Sequence, residues 1–284
     1  MLDKKIALVM EGGGMRGAYT AGALTWLVDN GIEFTSSYGI SSGAFYLCGY
    51  LMKDQKFLYD CSTKCVTDKR YLFLPGILRS GKIVDYDFLF NQILVKENHM
   101  DLGPLKDLDR EGYIGLYDLS LGKTIFISTR DMSIDHLKAA ASLPILGKLV
   151  KIGDKEYFDG GITKMIPIEK AIEDGCEKFL IITTKPENYV RKPAKKSIVT
   201  LMKLMYPQCD QISKDYEIRH LNYNKQIELI KSLSEQKKAV FAFPSKESKV
   251  TRIGGTKEQL IDLYELGYSD MENRKQSLFE LLND

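Results

Sequence analysis

Ile6-Ala7-Leu8-Val9-Met10-Glu11-Gly12-Gly13-Gly14-Met15-Arg16-Gly17 runs from an unbroken apolar stretch directly into a glycine-rich turn. Phe34 to Ile40 reads as a second strand and likewise leads into a glycine-marked turn, Gly39-Ile40-Ser41-Ser42-Gly43. A continuous apolar run of strand length suits a strand buried on both faces, as in a parallel sheet. Helical patterning follows each turn. Ala18 to Val28 gathers Ala18, Ala21, Leu24, Trp26, Leu27 and Val28 on a broad apolar side, and Asp29-Asn30-Gly31 predicts its end, with Gly31 as a left-handed cap. Ser42 to Met52 is again apolar and rich in small residues. Strand, turn and helix twice over predict an α/β sheet covered by helices.

The remaining pattern is less regular. Lys69 to Arg79 is an apolar segment with basic flanks, and its Pro75-Gly76 predicts a turn. Tyr86 to Val95 reads as a helix. Tyr113 to Asp118 and Thr124 to Thr129 read as paired strands around a turn at Gly122. Ile134 to Ser142 reads as a helix stopped by Leu143-Pro144. Lys155 to Phe158 reads as a short strand entering Asp159-Gly160-Gly161. Pro167 to Asp174 reads as a helix and Phe179 to Thr184 as a buried strand. Beyond Thr184 come a loop with two prolines, helices over Ser197 to Met205 and Gln211 to Ser234, and a strand over Val240 to Phe243. Two further helices follow, Thr256 to Leu266 with a Thr256/Gln259 capping box, and Asp270 to Leu282. The expected organisation is one domain: a core over 5–185 and a mainly helical region over 186–284 packed on it.

A chain of 284 residues, 44% hydrophobic and 27% charged, has ordinary globular composition. Its net charge of +2 creates no overall field that favours nucleic acid, and none is expected as a partner. Cys61 and Cys65 stand four apart but lack nearby histidine or cysteine, so the cysteines read as free thiols in a reducing compartment. The N-terminus lacks the pattern of a signal peptide. No apolar run approaches the ~20 residues of a membrane span. The expectation is a cytoplasmic protein that touches a membrane, at most, from its surface.

Gly39-Ile40-Ser41-Ser42-Gly43 has the pattern of a nucleophile turn. Glycines allow a sharp bend that exposes Ser41, and the helix N-terminus behind it favours developing negative charge. A capping serine in a glycine-rich turn is the plainer alternative. The amides of Gly13 and Gly14 suit an oxyanion, and Arg16 either orients the loop or attracts an anionic head group. The same glycine spacing also fits a dinucleotide fingerprint. Against that, Glu33 lies at the start of the second strand, whereas the ribose-binding acid belongs at the carboxyl end. A serine needs a base. None of His99, His136 and His220 lies in a glycine-marked turn, while Asp159 lies between a strand-like segment and two glycines; a simple Asp-Gly hairpin turn is its alternative.

Taken together, these residues resemble the patatin-like phospholipases, in a bacterial form. Gly12 to Gly17 matches the family's Gly-Gly-Gly-x-Arg-Gly loop, Gly39 to Gly43 its nucleophile motif, and Asp159-Gly160-Gly161 its Asp-Gly-Gly motif, in the family's order. Ala141-Ser142-Leu143-Pro144 resembles a further family segment, with the proline one residue early. The resemblance spans about residues 5 to 185. It implies a three-layer patatin-like fold with a mostly parallel central sheet and a Ser41–Asp159 dyad without histidine. It also implies an oxyanion hole built from Gly12, Gly13, Gly14, Arg16 and Gly17, and no metal or cofactor. The implied function is a serine carboxylic-ester hydrolase releasing fatty acids from acyl lipids. An acyltransferase with the same dyad and a non-catalytic nucleotide- or lipid-binding protein are the alternatives.

Two basic-then-apolar segments bear on membrane contact. Tyr71 to Leu78, flanked by Lys69, Arg70, Arg79 and Lys82, reads either as an interfacial lid or as an internal strand or turn. Arg191, Lys192, Lys195 and Lys196 precede Ile198 to Met202 and read either as a membrane-docking patch or as a solvated loop before a core helix.

Overall fold

The two strands read ahead of the first two glycine-marked turns form the middle of a single eight-stranded sheet. The computed structural model describes residues 5–283; Met1 to Lys4 of the N-terminal reading, and Asp284, lie outside that range. In chain order the strands are β1 (Ile6–Met10), β2 (Ser36–Ile40), β3 (Glu111–Asp118), β4 (Lys123–Ser128), β5 (Val150–Ile152), β6 (Lys155–Asp159), β7 (Lys178–Ile182) and β8 (Ala239–Ala242). The run β3-β2-β1-β7-β8 is parallel throughout. β4, β5 and β6 add antiparallel pairings at the β3 side.

The α-helices are α1 (Ala18–Asp29), α2 (Ser42–Leu51), α3 (Gln55–Thr63), α4 (Phe73–Ser80), α5 (Ile134–Ala141), α6 (Ile168–Glu173), α7 (Lys196–Met205), α8 (Asp210–Glu235), α9 (Lys257–Asn273) and α10 (Lys275–Asn283). Side chains alternate across a strand. On β1, Leu8 and Met10 join the core shared with α1, α2 and α9, while Ala7 and Val9 join a second core with Ile168, Tyr223, Ile227 and Ile230 from α6 and α8. Both faces of the sheet are therefore buried, which makes three layers and explains the unbroken apolar reading of β1.

The chain beyond 185 builds more than a helical lobe. β8 extends the sheet beside β7, and α9 lies against α1 so closely that the two backbones touch. A Cβ on Gly22 would enter the carbonyl oxygen of Tyr264, and one on Gly267 that of Tyr19. Tyr264 Oη donates to Thr25 Oγ1 (2.7 Å), Tyr19 Oη to Asp270 Oδ2 (3.2 Å) and Trp26 Nε1 to Glu272 Oε2 (2.6 Å) across this seam.

Two readings need correction. Pro75-Gly76 is not a turn but sits inside α4, because a proline in the first helical turn gives up an N–H that has no intrahelical partner there. The helix read over Tyr86 to Val95 is present, as a π-helix over Phe88–Glu97. α9 continues to Asn273, beyond the expected Leu266, and α10 begins only at Lys275. α3 escaped notice although Asp54 caps it, accepting from Phe57 N at 2.8 Å. Among the described residues, no helix is long and apolar enough to cross a membrane.

Candidate active site

Ser41 carries the sharp turn between β2 and α2 at φ 55° and ψ −124°, a region that residues with a side chain enter only when their surroundings impose it. It occupies the cap position of α2, yet its side chain makes no capping hydrogen bond. The capping-serine alternative thus does not describe it. Crowding explains the glycines around it. A Cβ on Gly39 would stand 2.6 Å from Ala44 N, one on Gly43 2.8 Å from Glu11 O, and one on Gly12 2.7 Å from Ser41 Cβ.

Sheet register brings Asp159 to the same place. β4 pairs with β3 over Tyr113 to Asp118, so β2 and β6 must share the opposite edge. β2 occupies that edge up to Ile40, opposite Gly115, and antiparallel β6 takes it over with Asp159 opposite Leu116. The two strands meet C-terminus to C-terminus, which sets the residue after Ile40 against Asp159. Glycine is needed at this junction, since a Cβ on Gly160 would lie 2.7 Å from the Gly115 carbonyl. Asp159 is 1% exposed. Its N–H donates to Ser142 O (2.9 Å), from the Ala141 to Pro144 segment, and its Oδ1 accepts from Gly161 N (2.7 Å). Burial raises its pKa, while hydrogen bonding from Ser41 and the Gly161 amide, and the charges of Arg219 and Arg252, pull the other way.

The glycine loop packs on the nucleophile turn, and its amides are unequally engaged. Gly12 N donates to Met165 O (3.2 Å), Gly13 N to Ser42 Oγ (2.8 Å) and Met15 N to Arg252 O (2.9 Å). Among the described residues, Gly14 N has no partner in this row. Gly14 stands at φ 61° and lines the same cavity as Ser41. Gly17 abuts Ser42, whose Cβ would lie 2.7 Å from an added Cβ. Arg16 belongs to the loop by sequence, but its side chain lies in the field of Glu11, Arg191 and Arg252.

From Ser41 a narrow cavity of about 90 Å³ leads away between Phe45, Tyr46, Leu72, Leu89, Phe90 and Leu94. Its wall is overwhelmingly apolar, with Arg252 beside Ser41 at the head. Among the described residues no histidine lines it. His136 Nδ1 serves the cap at Ser133, and His220 Nδ1 lies against Glu217 O.

Three site neighbours were missed in the sequence. Glu11 follows β1, is 2% exposed, and accepts from Thr184 N (2.6 Å) and Thr184 Oγ1 (3.1 Å). Arg219 on α8 donates through Nε to Gly161 O and so braces the Asp-Gly-Gly turn. Arg252, in the loop between β8 and α9, holds the glycine loop through its carbonyl. Tyr216, Arg219 and Tyr223 do share one helix face by spacing, but nothing in the sequence points that face at residue 159.

Residues 8–89 match the family model described as patatin-like phospholipase, and residues 209–283 match one described as a domain of unknown function, DUF6363. The uncharacterized protein YjjU of Escherichia coli (strain K12) is 26% identical over 194 residues, 66% of this chain and 54% of its own length. The probable lipid hydrolase 463L of Invertebrate iridescent virus 6 is 29% identical over 185 residues, 58% of this chain and 63% of its own. The chain thus spans between about half and under two thirds of these curated relatives. The crystal structure of VipD from Legionella pneumophila superposes with a TM-score of 0.48 at 13% identity, over 99% of this chain and 67% of that one.

Proposed function

With residues 8–89 matching the patatin-like phospholipase family model, we propose that the protein is a serine hydrolase that releases fatty acids from acyl lipids through Ser41 and Asp159. The observation that carries this reading is the strained Ser41 turn set against a buried carboxylate at the head of an apolar cavity. The Asp159 carboxylate takes the Ser41 hydroxyl proton as Oγ attacks the ester carbonyl carbon. The carbonyl oxygen becomes an oxyanion facing Gly14 N–H, and Gly13 N–H joins once the Ser42 hydroxyl turns away from it. Collapse breaks the ester C–O bond, and the leaving alkoxide takes the proton from Asp159. Water then gives a proton to Asp159 and attacks the acyl carbon. The fatty acid leaves and the proton returns to Ser41. The raised pKa of Asp159 makes its carboxylate a better base than that of an ordinary aspartate.

A fluorophosphonate probe tests the nucleophile, because it labels only an activated serine. Folded protein should be labelled on the peptide carrying Ser41; labelling elsewhere, or none, sinks the reading. Product analysis with glycerol present separates hydrolysis from acyl transfer.

The reading includes contact with a lipid surface through α4. Phe73, Leu74, Ile77 and Leu78 form one apolar helix face and are 46–78% exposed. Tyr71 and Leu72, just before α4, line the Ser41 cavity, so this face stands beside the route into the cavity. Of the four flanking cations, Arg70 is held by Asp68 and Glu97 and Arg79 by Asp85, which leaves Lys69 and Lys82 to meet phosphates. Replacing Leu74 and Leu78 together by serine should weaken binding to anionic vesicles by about tenfold or more, since burying one leucine contributes about 1.5–3 kcal/mol. Sedimentation with vesicles of phosphatidylglycerol and phosphatidylcholine reads it, and unchanged binding rules α4 out.

A further inference from the structure

Five cationic side chains crowd the rim of the candidate site, arriving from separate parts of the chain: Arg16 from the glycine loop, Lys185 and Arg191 from the segment after β7, Arg219 from α8, and Arg252 from the loop after β8. Among the described residues none of them forms an ion pair with a carboxylate. Arg219, Arg191 and Lys185 are held by neighbouring groups rather than free in solvent. Arg219 is 6% exposed and bonded to Gly161 O. Arg252 lines the cavity with Ser41 and Gly14. The backbone of Arg191 is clamped by Asn224 (2.9 and 3.2 Å), and its guanidinium lies over Tyr223, 5.7 Å from the ring centroid. Lys185 lies over Tyr189 at 4.9 Å, and the Tyr189 and Tyr223 rings meet edge to face at 5.8 Å. Arg16 Nε is buried with no hydrogen-bond partner.

Two carboxylates, Glu11 and Asp159, face these five groups, and both already accept from the backbone. Repulsion from neighbouring cations acts on three of the five. Burial first, and then the neighbouring cations, lower the proton affinity of Arg16, of Lys185 to about 8 and of Arg219 to about 9. Gathering this much unneutralised positive charge around a buried site is unfavourable unless an anion joins it.

We propose that Arg16, Lys185, Arg191, Arg219 and Arg252 form a phosphate-binding subsite beside Ser41, so that the preferred substrate is an acyl lipid whose phosphate lies close to the ester that is cut. Guanidinium forks suit phosphate oxygens in paired hydrogen bonds, and the excess of three positive charges over the two carboxylates suits a phosphate monoester dianion. The apolar cavity takes the acyl chain, while the cationic groups, with Arg252 on the cavity wall beside Gly14, take the phosphate. The substrate assignment rests on Ser41 being the nucleophile; the subsite itself does not.

Two measurements separate them. The first titrates folded Ser41→Ala protein with inorganic phosphate, glycerol 3-phosphate and glycerol by calorimetry. Both phosphates should bind and glycerol should not, and Arg191→Gln or Arg252→Gln in the same background should weaken phosphate binding by about tenfold or more, as expected for loss of one charge-assisted contact. Arg252→Lys should retain part of it. The second measures kcat/KM of the active protein on a 1-acylglycerol 3-phosphate and on the monoacylglycerol of the same chain. The phosphate-bearing lipid should be favoured at least tenfold, with the ratio falling toward one in the glutamine variants. No phosphate affinity in folded Ser41→Ala protein overturns the subsite, whatever the activity. Phosphate binding with equal rates on the two lipids overturns the head-group assignment and leaves a site for a free phosphate. Phosphate binding with neither lipid cleaved keeps the subsite and defeats the hydrolase reading instead.

Discussion

Ser41→Ala lowers ester hydrolysis on the order of 10⁴-fold, and Asp159→Asn on the order of 10³-fold or more, as loss of members of one catalytic unit does elsewhere. The two variants are expected to part company in stability. Ser41→Ala is close to neutral, because alanine removes an oxygen that caps nothing, though it keeps a side chain at φ 55°. Asp159→Asn should be as stable as the wild type or more so at neutral pH. Burial holds the Asp159 pKa above its unfolded value, so the native state retains this proton more tightly than the unfolded chain does. That contribution to stability is full below the unfolded value of about 3.9 and is lost as pH rises through the raised native value. Above that value the wild type carries a buried carboxylate at some expense. Asparagine removes the charge and still accepts from Gly161 N through Oδ1. Thermal melts beside initial rates on a short p-nitrophenyl ester check both. An Asp159→Asn protein that is folded and fully active ends the dyad reading; one that is inactive and markedly less stable would mean that the carboxylate serves the fold.

Gly22→Ala should destabilise the protein by roughly 3 kcal/mol, at the upper end of what overpacking typically costs, and lower its melting midpoint by roughly 5–10 °C. The added methyl would enter the Tyr264 carbonyl, which is backbone and cannot swing aside. Relief requires α1 and α9 to separate, which strains the Tyr264–Thr25, Tyr19–Asp270 and Trp26–Glu272 hydrogen bonds together. The nucleophile turn is distant in sequence, yet α1 begins directly behind the glycine loop, so activity should also fall. Gly31→Ala is the contrasting control. Gly31 has open space around it, and only its φ of 62° resists a side chain, so a loss of about 1 kcal/mol is expected. Equal melts for the two alanine variants would show that the helices do not pack as closely as described.

Much of the fold was legible because its central elements are locally consistent. β1 is an apolar run of strand length, β2 leads straight into a glycine-marked turn, α1 and α2 carry helical patterning, and Gly31 marks the stop. The β3–β4 hairpin announced itself through Gly122, and the cap of α9 through Thr256 and Gln259. α4 was misread because a proline and glycine usually mean a turn, and only the free first-turn N–H makes them compatible with a helix. The exposure of its apolar face had no local signal, since an apolar residue looks alike in sequence whether it faces the core or a lipid. The extension of α9 escaped because the contacts that favour it, such as Met271 in the core, come from α1 and its neighbours.

Sequence alone determined the strand-turn-helix units, the three glycine-marked turns and the residues Ser41 and Asp159 as those worth joining, because tight turns and buried strands impose composition on a few consecutive residues. Tertiary structure decided what those residues face. That β2 and β6 meet end to end on one edge of β3 is a matter of register between strands far apart in the chain. That Gly14 N is left open while Gly13 N is held by Ser42 is a matter of packing between the two turns. Arg219 and Arg252 reach the site only because the chain after 185 adds β8 to the sheet and lays α9 on α1. Burial, charge convergence and backbone approach depend on which distant segments share a space, and short-range sequence pattern carries no record of that.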